Sequence, residues 1–248
     1  MRIAVVSLFP QMIREALKIG VVGRALERGV FQVECFDPRD YTSDPHRTVD
    51  DRPFGGGPGM VMKVEPARNA LHDALKALPA GSRRVYLGAD GVRFEQRMAR
   101  EASSWPGLVL VAGRYEGVDE RFIEAEIDEQ WSIGDYVLSG GELPALVVID
   151  AIARLMPGTL GSSESALQES FSDGLVDWPH YTRPQALDGH EVPAVLASGD
   201  HAAIHRWRLR QALGRTWLRR PELLEQRGMS DAERELLEEF KNEARQRQ

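Results

Sequence analysis

Short apolar runs alternate with amphipathic stretches through the first two-thirds of the chain, and this rhythm constrains the fold more than any other feature. Ile3–Leu8, Phe31–Phe36, Val85–Gly88 and Leu108–Gly113 read as buried strands. Between them, Met12–Arg28, Glu65–Leu78 and Phe94–Ser104 carry apolar residues at helical spacing with charges opposite. Such alternation predicts an α/β domain with a parallel sheet covered by helices. A further helix is predicted over Glu142–Leu155, with Pro144 tolerated in its first turn.

From Pro157 to Asp177 the pattern changes to glycines and serines with few large apolar groups, which predicts a mobile linker. Beyond it strand signals stop. Asp200 is a suitable N-cap for a helix carrying Ile204, Trp207 and Leu213. Ser230-Asp231-Ala232-Glu233 is a capping box opening a last helix with Leu236, Leu237 and Phe240 on its apolar side. The expected organisation is an α/β domain over residues 1–160, a linker over 161–176 and a small all-α domain over 177–248.

The net charge of −7 argues against a uniformly basic nucleic-acid binder, but the charge is sorted along the chain. Glu116–Asp150 holds ten acids and one base, whereas His201–Arg220 holds six arginines and no acid. Guanidinium groups pair bidentately with phosphates, and solvated helix faces usually mix signs, so the arginine stretch favours phosphate contact. Trp207 and Trp217 within it are expected as core anchors. A single cysteine, Cys35, excludes an intramolecular disulfide and reads as a core residue. His201 and His205 are four apart, yet no carboxylate or thiol nearby completes a metal site, so no metal ligands are assigned. The N-terminus lacks the shape of a signal peptide, and no window approaches the ~18 apolar residues that span a bilayer, so a cytoplasmic protein without membrane contact is expected.

Three loops stand out. Asp50 to Met60 holds four glycines and two prolines, so its backbone can approach a flat ligand without Cβ interference. It has neither the Gly-Lys-Ser/Thr of a P-loop nor dinucleotide spacing, and no clear strand leads into it. Gly113–Gly117 follows a predicted strand directly and Ile133–Pro144 precedes a helix. Loops at the C-terminal ends of parallel strands are where open α/β sheets bind ligands, so the two suggest one shared pocket. Glu169, Asp173 and Asp177 recur every four residues. They would share a face if the linker became helical, as suits a general base, or they serve only to keep a polar segment soluble.

Taken together, Ser7-Leu8-Phe9-Pro10, Val49–Met60, Gly113–Asp119, Ser132–Pro144, Pro179–Pro184 and Arg215–Pro221 closely resemble, in order and from end to end, the bacterial tRNA (guanine-N1)-methyltransferase family of the SPOUT class. The resemblance implies transfer of a methyl group from S-adenosyl-L-methionine to N1 of the guanosine just 3′ of the anticodon in tRNA. It implies a homodimer, a SPOUT-type parallel sheet with a deep trefoil knot, and a helical tRNA-binding domain. The implied cofactor pocket comprises Tyr86, Leu87, Gly113, Glu116, Ile133, Gly134, Asp135, Tyr136, Val137, Leu138, Gly140, Gly141 and Pro144. Asp50, Gly55, Gly56, Gly57, Pro58 and Gly59 would meet the target guanosine and its neighbour, and Arg215, Arg219 and Arg220 the tRNA backbone. Mg²⁺ assistance is also implied, without a separate metal motif; Glu116 or Asp177 are candidate holders.

Guanine N1 is protonated at neutral pH, so methylation there needs a base for that proton and a cation near O6. By resemblance the cation is Arg154 and the base a linker aspartate. At the matching position this chain carries Glu169, one methylene longer. Another SPOUT enzyme acting on the ribose 2′-oxygen, or a catalytically weakened RNA-binding homologue, are the alternative readings.

Overall fold

A computed structural model describes residues 1–161 and 170–246. The chain divides into two compact units, Met1–Ser163 and Glu164–Gln248. The first runs β1 (Arg2–Val6), α1 (Pro10–Ala16), α2 (Gly20–Glu27), β2 (Gln32–Phe36), β3 (Asp50–Asp51), β4 (Val61–Met62), α3 (Val64–Lys76), β5 (Arg83–Arg93), α4 (Gln96–Ala102), β6 (Gly107–Ala112), α5 (Glu120–Glu126), β7 (Glu129–Ser132) and α6 (Glu142–Arg154).

Five of these strands form a parallel sheet in the order β2-β1-β6-β5-β7, with Ile3 beside Leu108 and Val85 beside Leu110. Because side chains alternate across a strand, the sheet has two cores. Ile3, Val5, Leu108, Leu110, Val85 and Leu87 bury one face under α1, α2, α4 and α6. Ala4, Val6, Val109, Val111 and Tyr86 bury the other under α3 and α5. Each large aliphatic side chain so buried contributes about 1.5–3 kcal/mol. Cys35 lies in the first core, where burial pushes its thiol pKa up, as suits a packing residue.

The single helix expected over Met12–Arg28 is two. The chain breaks at Gly20, whose φ of +72° only glycine adopts freely, and α2 then packs so tightly that a Cβ on Gly23 would lie 2.2 Å from the Lys18 carbonyl oxygen. β7 was not anticipated, because Glu129-Gln130-Trp131-Ser132 shows one large apolar residue. Yet Trp131 is 1% exposed and stacks 5.1 Å from Phe94. β5 runs past its expected end by an irregular turn through Gly91, where a Cβ would meet the Trp131 amide nitrogen at 2.5 Å. The Gly-rich loop is the tip of the antiparallel pair β3–β4, so a short strand does lead into it.

The second unit contains β8 (Ala186–Leu187), β9 (His190–Glu191), α7 (His201–Arg219), α8 (Pro221–Arg227) and α9 (Asp231–Gln246). The β8–β9 hairpin departs from the all-helical expectation. Its cause is Asp188-Gly189, both at positive φ, the pairing that a two-residue hairpin turn requires. Leu175, Ala212, Leu213, Leu224, Leu236 and Leu237 form the core. Asp200 caps α7 by accepting from the amides of Ala202 and Ala203, both at 3.0 Å. Trp207 is 9% exposed, but Trp217 is 38% exposed beneath the Lys241 ammonium, so only the first anchors the core. Residues 170–176, placed in the expected linker, pack on this unit. Leu175 is buried, the Val176 amide donates to Thr216 Oγ1 at 2.9 Å and Arg227 donates to the Asp173 carbonyl.

Ser230 and Glu233 form the expected box: the Ser230 amide donates to Glu233 Oε2 at 2.8 Å, and Arg227 Nη2 donates to Oε1 at 2.7 Å. The Arg227 bond, followed by those from Ser230, lowers the Glu233 pKa from 4.5 to about 2. The unfolded chain therefore takes up this proton first, and stability present above pH 4.5 is lost as pH falls toward 2. Urea midpoints between pH 5 and 2.5 should fall in the parent, and the Glu233→Gln variant should lose that component of the slope. Parallel slopes would refute it.

Candidate active site

The C-terminal ends of β5, β6 and β7 open into one cleft. Tyr86, Leu87, Gly113, Glu116, Ile133, Gly134, Tyr136, Val137, Leu138, Gly140, Gly141 and Pro144 line it. Asp135 does not line it, although its neighbours do. Arg114, Tyr115, Trp131 and Ser132 also line it. Arg114 and Tyr115 belong to the Gly113–Gly117 loop that the sequence pointed to, and Ser132 opens the Ser132–Pro144 motif, whereas Trp131 was passed over.

Glycine is required on these walls by space. A Cβ on Gly141 would lie 2.6 Å from Ala112 Cα, and one on Gly113 2.5 Å from the Tyr86 hydroxyl. The Gly141 amide donates to the Gly113 carbonyl at 2.9 Å, so the β6 loop and the start of α6 are tied together at the cleft floor. Burial raises the Tyr86 pKa, keeping its phenol neutral. Tyr136 folds its hydroxyl back to the Ile133 carbonyl at 3.2 Å, while Val137 at the lip is 91% exposed.

Beneath the lip lies a buried ion pair. Glu142, fully buried at the start of α6, accepts from Ser7 Oγ at 2.7 Å and from Arg114 Nε at 2.8 Å. Arg114 Nη1 donates to the Ser139 carbonyl at 3.0 Å, and its guanidinium lies 4.3 Å from the Phe9 ring centroid. Ser7 and Phe9, quoted above only as a motif, thus support the loop that forms the cleft.

The Gly-rich loop sits next to this cleft. The Glu116 amide donates to the Met60 carbonyl and the Met62 amide to the Gly117 carbonyl, both at 2.9 Å. Gly55, Gly56, Gly57 and Gly59 all have positive φ, Pro58 stands among them, and Phe54 at the tip is wholly exposed. Asp50 accepts a hydrogen bond from Tyr115, whose pKa is raised by burial and then by that carboxylate. A larger cavity of about 920 Å³ opens beside the loop, and Glu116 borders both it and the cleft.

Arg154 ends α6, half-buried, at the opposite end from Gly141. Glu169 lies outside the described residues. In the second unit the arginine stretch is less free than its sequence suggests. Arg206 pairs with Glu239, Arg210 with Glu243 and Arg220 with Glu222, acids that the local window did not contain. No ion pair among the described residues engages Arg208, Arg215 or Arg219, and the buried Nε of Arg208 and Arg215 lacks a partner.

An open parallel sheet whose strand ends gather glycine loops around one cleft defines an α/β protein of the cofactor-binding type. The family model described as tRNA (Guanine-1)-methyltransferase TrmD matches residues 1–226. The tRNA (guanine-N(1)-)-methyltransferase of Methylococcus capsulatus is 61% identical over 243 residues, covering 98% of this chain and 97% of the relative. That of Proteus mirabilis is 58% identical over 247 residues, covering 100% and 99%. The chain belongs to the tRNA (guanine-1)-methyltransferase family.

Proposed function

We propose that this protein transfers the methyl group of S-adenosyl-L-methionine to N1 of the guanosine immediately 3′ of the anticodon in tRNA. The observation that carries the reading is the glycine-walled cleft at the ends of β5, β6 and β7, in a chain whose relatives named above are tRNA (guanine-N1)-methyltransferases. The cleft's chemistry suits an adenosyl group. Ile133, Val137 and Leu138 offer apolar surface, and the glycine loops expose backbone polar groups to a purine edge. Its volume is about 160 Å³, below the ~300 Å³ at which small-molecule sites usually begin, so Tyr136 swings off Ile133 to admit the cofactor. S-adenosyl-L-methionine supplies an electrophilic methyl on a sulfonium.

The chain's own residues do the rest. Asp50 and the Gly55–Gly59 backbone receive the guanosine and its neighbour beside the larger cavity. Glu169 takes the N1 proton, Arg154 holds the charge that develops at O6, and Arg215, Arg219 and Arg220 hold the tRNA backbone. Residues 1–160 carry the cofactor in a trefoil-knotted sheet, and 177–248, with residues 170–176 packed on them, bind tRNA. No three carboxylate, imidazole or thiol groups among the described residues come together as a cation site. No helix among them is long and apolar enough to cross a membrane, and the substrate places the enzyme in the cytoplasm.

A homodimer suits the role given to Arg154. It stands about 18 Å along α6 from the cleft, too far to serve a guanine held there by the same subunit. Leu143 and Val147, 46% and 48% exposed, lie on the same face of α6 as Arg154. An antiparallel crossing of two copies on this face buries both residues and brings each Arg154 to the partner's cleft.

The test uses methyl-labelled S-adenosyl-L-methionine and two tRNA transcripts, one with guanosine and one with adenosine next to the anticodon. Label should enter only the first, at N1 by nuclease digestion and mass spectrometry, and Arg154→Ala should reduce it by about 10²-fold or more. Equal labelling of both transcripts, or methyl on a ribose, overturns the reading.

A further inference from the structure

The second unit holds a cleft lined partly by the Pro179–Pro184 motif, to which the reaction above gives no role. It measures about 760 Å³ and is bordered by Trp178, His180, Tyr181 and Arg183 on one side and by Leu196 and Arg208 on the other. Three of the six are aromatic rings, two are arginines and none is an acid. Trp178 is half-buried, its ring 5.7 Å from that of His180, and the Arg208 guanidinium lies 5.0 Å from the Trp178 centroid. Tyr181 is half exposed, 6.4 Å from Trp207.

Arg208 separates this cleft from an ordinary aromatic patch. Its helix neighbours Arg206 and Arg210 are tied to Glu239 and Glu243, but Arg208 has no ion pair among the described residues and its buried Nε has no acceptor. A guanidinium without a carboxylate partner keeps its positive charge for an incoming acceptor. Asp177, adjacent to Trp178 in the chain, is engaged by His180 at 2.9 Å. Flat aromatic faces beside unneutralised arginines match the chemistry of single-stranded nucleic acid, whose bases stack and whose phosphates take bidentate bonds. An acidic peptide would satisfy the arginines but leave the stacking surface unused.

We propose that this cleft is a second RNA subsite, in which one unpaired nucleobase stacks on Trp178 and the adjoining phosphate is held by Arg208 and Arg183. The proposal rests on tRNA being the substrate. It adds residues of Trp178–Arg183 to an RNA surface so far assigned to arginines near the end of α7.

The experiment measures tRNA dissociation constants for the full-length protein across a salt series. Trp178→Leu keeps apolar volume but removes the ring, and should weaken binding about 5- to 150-fold, the worth of one stacked base. Trp178→Phe should recover most of that loss. Arg208→Gln and Arg183→Gln should each flatten the plot of log affinity against log salt by about 0.7, the share of one single-stranded phosphate. Cofactor affinity and thermal unfolding should not move in the Phe and Gln variants. If Trp178→Leu loses its fold, the Phe and Gln variants decide: parent-like affinity and salt slope in both arginine variants overturns the subsite. Parent-like affinity in a folded Trp178→Leu variant overturns it as well. A parent protein that binds no tRNA at any salt would instead refute the substrate reading on which the subsite rests.

Discussion

Arg114→Ala should destabilise the first unit by about 3–5 kcal/mol, because it strands the buried Glu142 carboxylate. The size follows from the environment. Exposed ion pairs contribute about 0–1 kcal/mol, since water already solvates both charges. Here the Glu142 side chain is 1% exposed and that of Arg114 20%, so removing the cation leaves only the Ser7 hydroxyl on the carboxylate. At roughly 2–4 °C per kcal/mol for a unit of this size, the melting temperature should drop by about 6–20 °C. Glu142→Gln should cost less, because the amide oxygen still accepts from Ser7 and the Arg114 guanidinium keeps a route to water. The double variant Arg114→Met, Glu142→Leu should recover much of the loss, as replacing a buried pair by apolar groups often does. Cofactor affinity should nevertheless stay low in the double variant. Arg114 also holds the Ser139 carbonyl and packs so closely over Gly140 that a Cβ there would lie 2.2 Å from Nε. A loss below about 1 kcal/mol in Arg114→Ala would show the pair to be no stronger than a surface contact.

That pair also marks where the sequence stops being legible. Apolar runs disclosed β1 and β6, because a buried parallel strand needs apolar side chains on both faces; β2, at the sheet edge, keeps Gln32 and Glu34 exposed. They missed β7, whose burial comes almost wholly from Trp131 against Phe94 and Trp105. Glycine loops after strands disclosed the cleft, since close backbone approach leaves a trace in residue type at the position itself. The Ser7–Glu142 bond leaves no such trace: its partners are 135 residues apart and each alone is unremarkable. Charge misled for the same reason. A window over His201–Arg220 contains no acid, yet α9 brings acids back 33 residues on, and Glu239 and Glu243 neutralise two of the six arginines. Local chemistry is readable from local sequence, whereas pairing across the fold needs the topology.

Glu169→Gln should lower the single-turnover methylation rate by about 10²–10⁴-fold while leaving cofactor and tRNA affinities near those of the parent. The amide is nearly isosteric with the carboxylate, so it keeps the contacts and loses only the ability to accept the N1 proton. The parent rate should rise tenfold per pH unit below the pKa of the carboxylate, and the glutamine variant should lose that limb. The other two linker carboxylates are weaker candidates because each is already engaged. Asp177 accepts from His180, and Asp173 lies 3.9 Å from Arg227, whose Nε also donates to its carbonyl. Taking up a proton at either would break an existing interaction. The added methylene of glutamate has its own consequence. Glu169→Asp draws the acceptor back by one bond, and a misplacement near 1 Å can be worth about 10² in rate. If the surrounding groups are tuned to the longer side chain, the aspartate variant should be slower than the parent; if they still fit aspartate, it should be faster. Either direction keeps a carboxylate base at 169. An unchanged rate in Glu169→Gln, accompanied by a collapse in Asp177→Asn, would transfer the role to Asp177.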